Sequence, residues 1–169
     1  KIIVTGCLAE LDEDRIRKQR GISLISKNRD KEKIISRLFR LYGKTKRLRA
    51  SKGISHFKGH TRAFLKIQDG CNNFCSYCKV PYVRGLSRSR LPDEIIDEAT
   101  RLAVNGFKEI VLCGICLGAY GQDLSKKSSL VDLIEALQNI EGLFRIRLSS
   151  IEAGDISDKL IDKIAESDK

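Results

Sequence analysis

Arg62-Ala63-Phe64-Leu65-Lys66-Ile67-Gln68 reads as a strand, and it runs through Asp69-Gly70 straight into Cys71-Asn72-Asn73-Phe74-Cys75-Ser76-Tyr77-Cys78. Downstream the pattern switches to a helical period. A helix is expected from Pro92, a favoured first helical residue, to Asn105, where Gly106 stops it. Lys108 to Cys113 reads as the next strand, Ser129 to Asn139 as a helix, Phe144 to Ser149 as a third strand, and Ile156 to Ala165 as a closing helix. Strands alternating with helices of this length are βαβ units, so the strands should be parallel and the fold class α/β. In such sheets functional residues gather at the carboxyl ends of the strands. The cysteine loop, Gly114 and Ser149-Ser150 are all expected there.

Upstream lies more α/β material. Lys1 to Thr5 reads as a buried strand, Gly6 to Ala9 as a loop, Glu10 to Arg20 as a charged helix and Ile22 to Ile25 as a second strand. Asp30 should open a helix with Ile34, Ile35, Leu38 and Leu41 on one face and Arg37 and Arg40 on the other. A polar, basic, pattern-free stretch from about Gly43 to Gly59 reads as a linker. The expected divisions are therefore residues 1–42, a linker over 43–60, and 61–169. The chain starts inside an apolar run and contains no Met, so both ends are expected to be cuts in a longer protein. It has no apolar run long enough for a membrane span and no charged-then-apolar start typical of a secretory leader, so a cytoplasmic protein with no membrane partner is expected.

The net charge of +10 is local. Residues 1–60 hold 17 Lys and Arg against 6 Asp and Glu, whereas residues 61–169 hold 15 against 16. One cluster comprises Lys44, Lys46, Arg47, Arg49, Lys52 and Lys58; a second, Arg84, Arg88 and Arg90, follows the cysteines. Such clusters attract polyanions, RNA foremost, although a solvated linker needs no ligand at all.

Six cysteines in a chain of cytosolic character argue for metal or redox chemistry rather than a disulfide framework. The C-x3-C-x2-C spacing of Cys71, Cys75 and Cys78 puts three thiolates on one short loop. Three thiolates can hold three irons of a cubane cluster and leave the fourth iron without a protein ligand, open to chelation by the amino and carboxylate groups of S-adenosylmethionine (SAM). Tyr77, just before the third cysteine, has a flat ring suited to packing near an adenine. The alternative on spacing alone is a zinc site completed by His60 or His56, in a zinc-stapled RNA-binding module. Zinc sites, however, favour paired C-x2-C units and four protein ligands.

Several blocks carry a family resemblance. They are Gly59-His60-Thr61-Arg62-Ala63-Phe64-Leu65-Lys66-Ile67-Gln68-Asp69-Gly70 with the cysteine run, then Pro81-Tyr82-Val83-Arg84-Gly85 and Ser87-Arg88-Ser89-Arg90. Gly106 to Leu112, Gly114-Ile115, Leu117-Gly118-Ala119-Tyr120-Gly121 and Arg145 to Glu152 extend them. Together they resemble the methylthiotransferase family of radical SAM enzymes across most of residues 59–165. The wording is most similar to the branch acting on threonylcarbamoyladenosine in tRNA. The branches modifying isopentenyladenosine in tRNA and a ribosomal-protein aspartate are less similar.

The resemblance implies a partial radical SAM (βα) barrel over residues 61–169, preceded by part of an α/β methylthiotransferase amino-terminal domain. It implies a four-iron, four-sulfur cluster on Cys71, Cys75 and Cys78, with SAM as cosubstrate. It also implies a second, auxiliary cluster in the full-length protein: Val4-Thr5-Gly6-Cys7-Leu8-Ala9-Glu10 resembles the last of three cysteine segments that hold it, which makes Cys7 a ligand. One SAM would supply a methyl group and another a radical able to activate an adenine carbon–hydrogen bond that offers no acid–base handle. The implied partners are a tRNA substrate and an electron donor, the expected state is monomeric, and this portion by itself is expected to be inactive.

Other residues are weighed on their chemistry. Gly114 suits a close backbone approach to SAM, and Ser149, Ser150 and Glu152 offer polar groups for its ribose or carboxylate; turn formation is the plainer role for all of them. Arg84, Arg88 and Arg90 are candidates for gripping RNA phosphates. Cys113 and Cys116 form a second C-x2-C that suggests a redox pair in isolation; Cys113 reads as strand packing, and Cys116 is left unassigned.

Overall fold

The computed structural model describes residues 1–43, 53–55 and 59–169. The basic linker residues Lys44, Lys46, Arg47, Arg49, Lys52 and Lys58, and His56, lie outside the described residues. The chain groups into two compact units. One takes residues 1–43 together with Asn72–Gly85; the other takes 53–55, 59–71 and 86–169. The crossing between them falls inside the cysteine loop, after Cys71, and not only at the linker.

In the first unit, β1 (Ile2–Thr5) and β2 (Ile22–Ser26) pair in parallel, with Thr5 opposite Ser26. The connection holds two short helices, α1 (Cys7–Leu11) and α2 (Glu13–Arg17), instead of a loop and one helix. Asp12 is the reason: its carboxylate accepts a hydrogen bond from the Arg15 backbone N–H at 3.1 Å, capping a new helix and so breaking the expected one. Cys7, expected in a loop, is accordingly the first residue of α1. A 3-10 turn, Asn28–Lys33, precedes α3 (Ile34–Tyr42), so the α-helix begins four residues later than Asp30. Gly43 ends α3 in the left-handed conformation that glycine alone adopts without cost. A helix that the sequence does not announce, α4 (Val80–Arg84), lies against α1 and the 3-10 turn. Its Pro81 and Val83 are buried, as are Ala9 of α1 and Ile16 of α2.

The second unit is built on a parallel sheet of order β3-β6-β7, comprising Arg62–Lys66, Glu109–Cys113 and Arg145–Leu148. Arg62 stands opposite Glu109 and Lys66 opposite Cys113, while Leu112 stands opposite Leu148. All three carboxyl ends therefore lie along one edge, as parallel βαβ connections require. The expected single strand to Gln68 breaks at Ile67. A two-residue β4 (Gln68–Asp69) pairs antiparallel with β5 (Arg88–Ser89).

Alternation along β3 buries Ala63 and Leu65 and leaves Arg62, Phe64 and Lys66 on the opposite face. The buried face packs with Ile110 and Leu112 against α5 (Pro92–Val104), α6 (Leu130–Gln138) and α7 (Asp158–Ala165). Ile95, Ala99 and Leu102 of α5 and Leu133 and Leu137 of α6 are each at most 1% exposed. Burying each of these leucine and isoleucine side chains stabilises the unit by roughly 1.5 to 3 kcal/mol. A capping box, Ser129 with Asp132, starts α6, and the Ser157 hydroxyl starts α7. On the other face Glu109 meets three arginines: Arg147 at 3.1 Å, and Arg62 and Arg145 at 3.7 Å each. The α/β class with parallel strands is thus as expected from the sequence.

Candidate metal centre

The carboxyl edge of the sheet carries the chemistry. Gly70, buried and in the left-handed conformation at φ 73, turns the chain out of β4 and into Cys71. Cys71 and Cys78 are half-buried and Cys75 is exposed, and none of the three is in a disulfide. Within the first unit the Cys78 N–H donates to the Cys75 carbonyl at 2.9 Å, a tight turn that sets the second interval of the motif. Phe74 has φ 48, a conformation uncommon for an aromatic residue and the kind of local strain concentrated at functional loops. Its ring meets Tyr82 edge-on at 5.9 Å. Tyr77 is 87% exposed.

As a donor set, three cysteine sulfurs on one loop, none in a disulfide, are the right chemistry for an iron–sulfur cluster with an open iron. Among the described residues, no three His, Cys, Asp or Glu side chains are gathered as a metal-holding group. His60 is exposed.

Gly114 follows β6 directly. A Cβ there would lie 3.0 Å from both the Gln68 Oε1 and a Leu117 methyl, so the close approach this glycine permits is to the protein's own buried amide. Ser149 continues from β7, its N–H bonded to the Leu112 carbonyl at 3.0 Å. Ser150 and Glu152 are exposed beyond it, and the Glu152 carbonyl accepts from the Asp155 N–H at 2.9 Å.

Cys7 is half-buried in the first unit, with the Asn28 Nδ2 at 3.8 Å from its sulfur. The same Nδ2 donates to the Val83 carbonyl at 2.6 Å, tying the Cys7 neighbourhood to α4, the helix that follows Cys78.

The three arginines separate. Arg90 is committed internally: its guanidinium donates to the Lys66 carbonyl at 2.8 Å and pairs with buried Glu98 at 2.7 Å. Arg88 is exposed on β5 and Arg84 half-buried at the end of α4. Nothing in the charge pattern distinguishes Arg90 from its neighbours; the pairing needs Glu98 brought back by α5.

The surroundings of Cys113 and Cys116 hold both thiols protonated. Burial pushes the Cys113 thiol up. Burial, followed by the nearby Asp155 carboxylate, pushes that of Cys116 up to about 11, with Asp155 Oδ2 3.5 Å from its sulfur. A thiol with so little thiolate near neutrality is a poor nucleophile.

With this geometry in place, comparison with known proteins decides the family. Residues 65–168 match the radical SAM superfamily. The chain belongs to it. A radical SAM protein uses SAM and a four-iron, four-sulfur cluster, so both are its implied cofactors, and that membership displaces the zinc reading. The chain is 38% identical, over 99% of its length, to a threonylcarbamoyladenosine tRNA methylthiotransferase MtaB of Bacillus subtilis, of which it covers 40%. It is 40% identical over 98% of its length to the protein of that name from Chlamydia pneumoniae, of which it covers 38%. To a tRNA-2-methylthio-N(6)-dimethylallyladenosine synthase of Pelotomaculum thermopropionicum it is 46% identical, over 66% of its length and 25% of the relative's. The chain thus spans at most about two fifths of the curated relatives it matches. No helix among the described residues is long and apolar enough to cross a membrane.

Proposed function

We propose that this chain forms the cluster-binding part of a tRNA methylthiotransferase that adds a methylthio group to threonylcarbamoyladenosine next to the anticodon. The carrying observation is coverage: similarity to the threonylcarbamoyladenosine enzymes extends over 98 to 99% of the chain, including the unit that holds Cys7, while the dimethylallyladenosine relative matches 66%. The higher identity of that shorter match, 46%, is what favours methylthiolation of isopentenyladenosine as a second reading.

In this reading Cys71, Cys75 and Cys78 hold the radical SAM cluster and Cys7 supplies one ligand of an auxiliary cluster. When bound, the cluster and SAM supply one-electron chemistry that activates an inert carbon–hydrogen bond. The chain's own part is to hold and orient. Tyr77 packs beside the adenine, and Gly114, Ser150 and Glu152 offer polar groups to SAM at the sheet edge. Arg84 and Arg88 take tRNA phosphates, while Arg90, bonded inward, serves the fold. An electron donor, a monomeric state and a cytoplasmic location complete the proposal, and residues 1–42, 43–60 and 61–169 are its domain divisions.

The test is mass spectrometry of tRNA nucleosides from cells lacking the full gene. Loss of the 2-methylthio form of threonylcarbamoyladenosine, restored by the gene, is expected. Loss of the isopentenyladenosine derivative instead would select the second reading, and no change in either would reject both.

A further inference from the structure

Gln68 is a glutamine in the middle of the second unit's core, only 1% exposed. Its side chain makes contact with three segments that are far apart in sequence. The Oε1 accepts from the backbone N–H groups of Ile115 at 2.9 Å and Cys116 at 3.0 Å. The Nε2 faces three acceptors: the Gly70 carbonyl at 2.8 Å, the Ser87 hydroxyl at 2.9 Å and the Asp69 carbonyl at 3.1 Å. The orientation of the amide is fixed by its partners, since backbone N–H groups only donate and carbonyls only accept. One end of the side chain therefore grips the turn after β6, and the other grips the residue that delivers Cys71.

A buried amide is tolerated when every polar atom is paired, and then it specifies geometry sharply, because any slip leaves partners unsatisfied. Gly114 belongs to the same arrangement, its missing side chain giving Gln68 room at 3.0 Å. An apolar residue at position 68 would fill the core but leave two N–H groups of one loop and a carbonyl of the other without partners.

We propose that Gln68 is a positioning residue whose amide sets the spacing between the cluster-loop entrance at Gly70-Cys71 and the turn Gly114-Ile115-Cys116. SAM contacting that turn is thereby held in register with the metal bound through Cys71. The proposal rests on the radical SAM reading of these two loops and assigns Gln68 no contact with cofactor.

The test uses the full-length protein, reconstituted anaerobically, with Gln68→Met and Gln68→Glu. Met removes both grips. Glu, equal in size, keeps the acceptor grip on Ile115 and Cys116, and the Ser87 hydroxyl can turn to donate to it, but it loses the donation to the Gly70 and Asp69 carbonyls. Removing an outer partner of a metal site typically costs about tenfold or more, so the Met variant should bind SAM at least about tenfold more weakly. The change that SAM causes in the electron paramagnetic resonance spectrum of the reduced cluster should also shrink. The Glu variant should surrender its iron to a chelator about tenfold faster than wild type. The Met variant, having lost both grips, should release iron faster as well, whereas the Glu variant should keep near wild-type SAM affinity; general loss of stability does not predict that difference, and thermal melting of each variant provides the control. If Gln68→Met fails to fold, the isosteric Glu variant decides. Wild-type SAM affinity, spectrum and iron retention in the folded variants would overturn the proposal while leaving the function intact. A wild-type protein that binds neither cluster nor SAM would bring down both.

Discussion

The Arg90 guanidinium lies 2.7 Å from the Glu98 carboxylate, and that carboxylate also accepts the Ile54 N–H at 2.6 Å. One buried acid thus joins the exit of β5, helix α5 and Ile54, ahead of β3, within the second unit. Removing one partner strands a charge inside the protein, which is far costlier than losing a surface pair. Arg90→Ala should destabilise the protein by about 2 kcal/mol or more in urea unfolding, more than Arg88→Ala, whose side chain is exposed. In tRNA binding the order reverses: Arg88→Ala should weaken binding and reduce its salt dependence. Equal stability losses for the two variants would contradict the division.

Cys116 should be chemically silent. Burial and the neighbouring Asp155 hold its thiol protonated, with the pKa raised from 9.0 to about 11. In cluster-free protein near neutral pH, iodoacetamide should label exposed Cys75 well before Cys116, as peptide mapping would report. The sign of the linkage follows. The folded state keeps a proton that the unfolded state releases, so this contribution to stability is complete below pH 9 and is lost as pH rises toward 11. Cys116→Ala should flatten the fall in stability over that window, and joint replacement with Cys113→Ala should leave activity of the full-length enzyme only mildly altered.

Gly121 is a position where no side chain fits. Its φ is 83, and a Cβ would lie 1.8 Å from the Ser128 carbonyl oxygen. Gly121→Ala should therefore cost at least about 2 kcal/mol, read as a drop in thermal midpoint. Gly106 is also left-handed, but a Cβ there would meet nothing within 4 Å. It should lose less on the same change, which isolates the steric part.

Cluster binding should order the cysteine loop. Cys75 and its neighbours Phe74 and Tyr77 are exposed. Because metal binding at such a site is coupled to local folding, loading the cluster should slow proteolysis across residues 72–79. Equal cleavage with and without the cluster would show that the loop does not close on it.

The parallel βαβ plan is legible because Pro92, Gly106 and the apolar periods mark helix and strand ends locally, and the cysteine spacing announces its chemistry without any tertiary information. What escapes the sequence are interactions that link distant residues or compete with a period. Asp12 caps a helix where the charge pattern runs on unbroken, and α4 is hidden in a five-residue stretch too short to show a period. Gln68 has the look of the polar end of a strand, since the Ile115 and Cys116 N–H groups that it accepts from lie 47 and 48 residues away. Arg90 resembles its exposed neighbours for the same reason.

In the proposed reading, Cys71, Cys75 and Cys78 hold a cluster with one iron open to SAM. The most direct test of this is the iron content and reduced-state electron paramagnetic resonance spectrum of the full-length, anaerobically reconstituted protein, with each of the three cysteines replaced by Ala in turn. Each replacement should remove about four irons per chain and the SAM-sensitive part of the spectrum. Iron content and SAM response unchanged in any one of them would contradict the account.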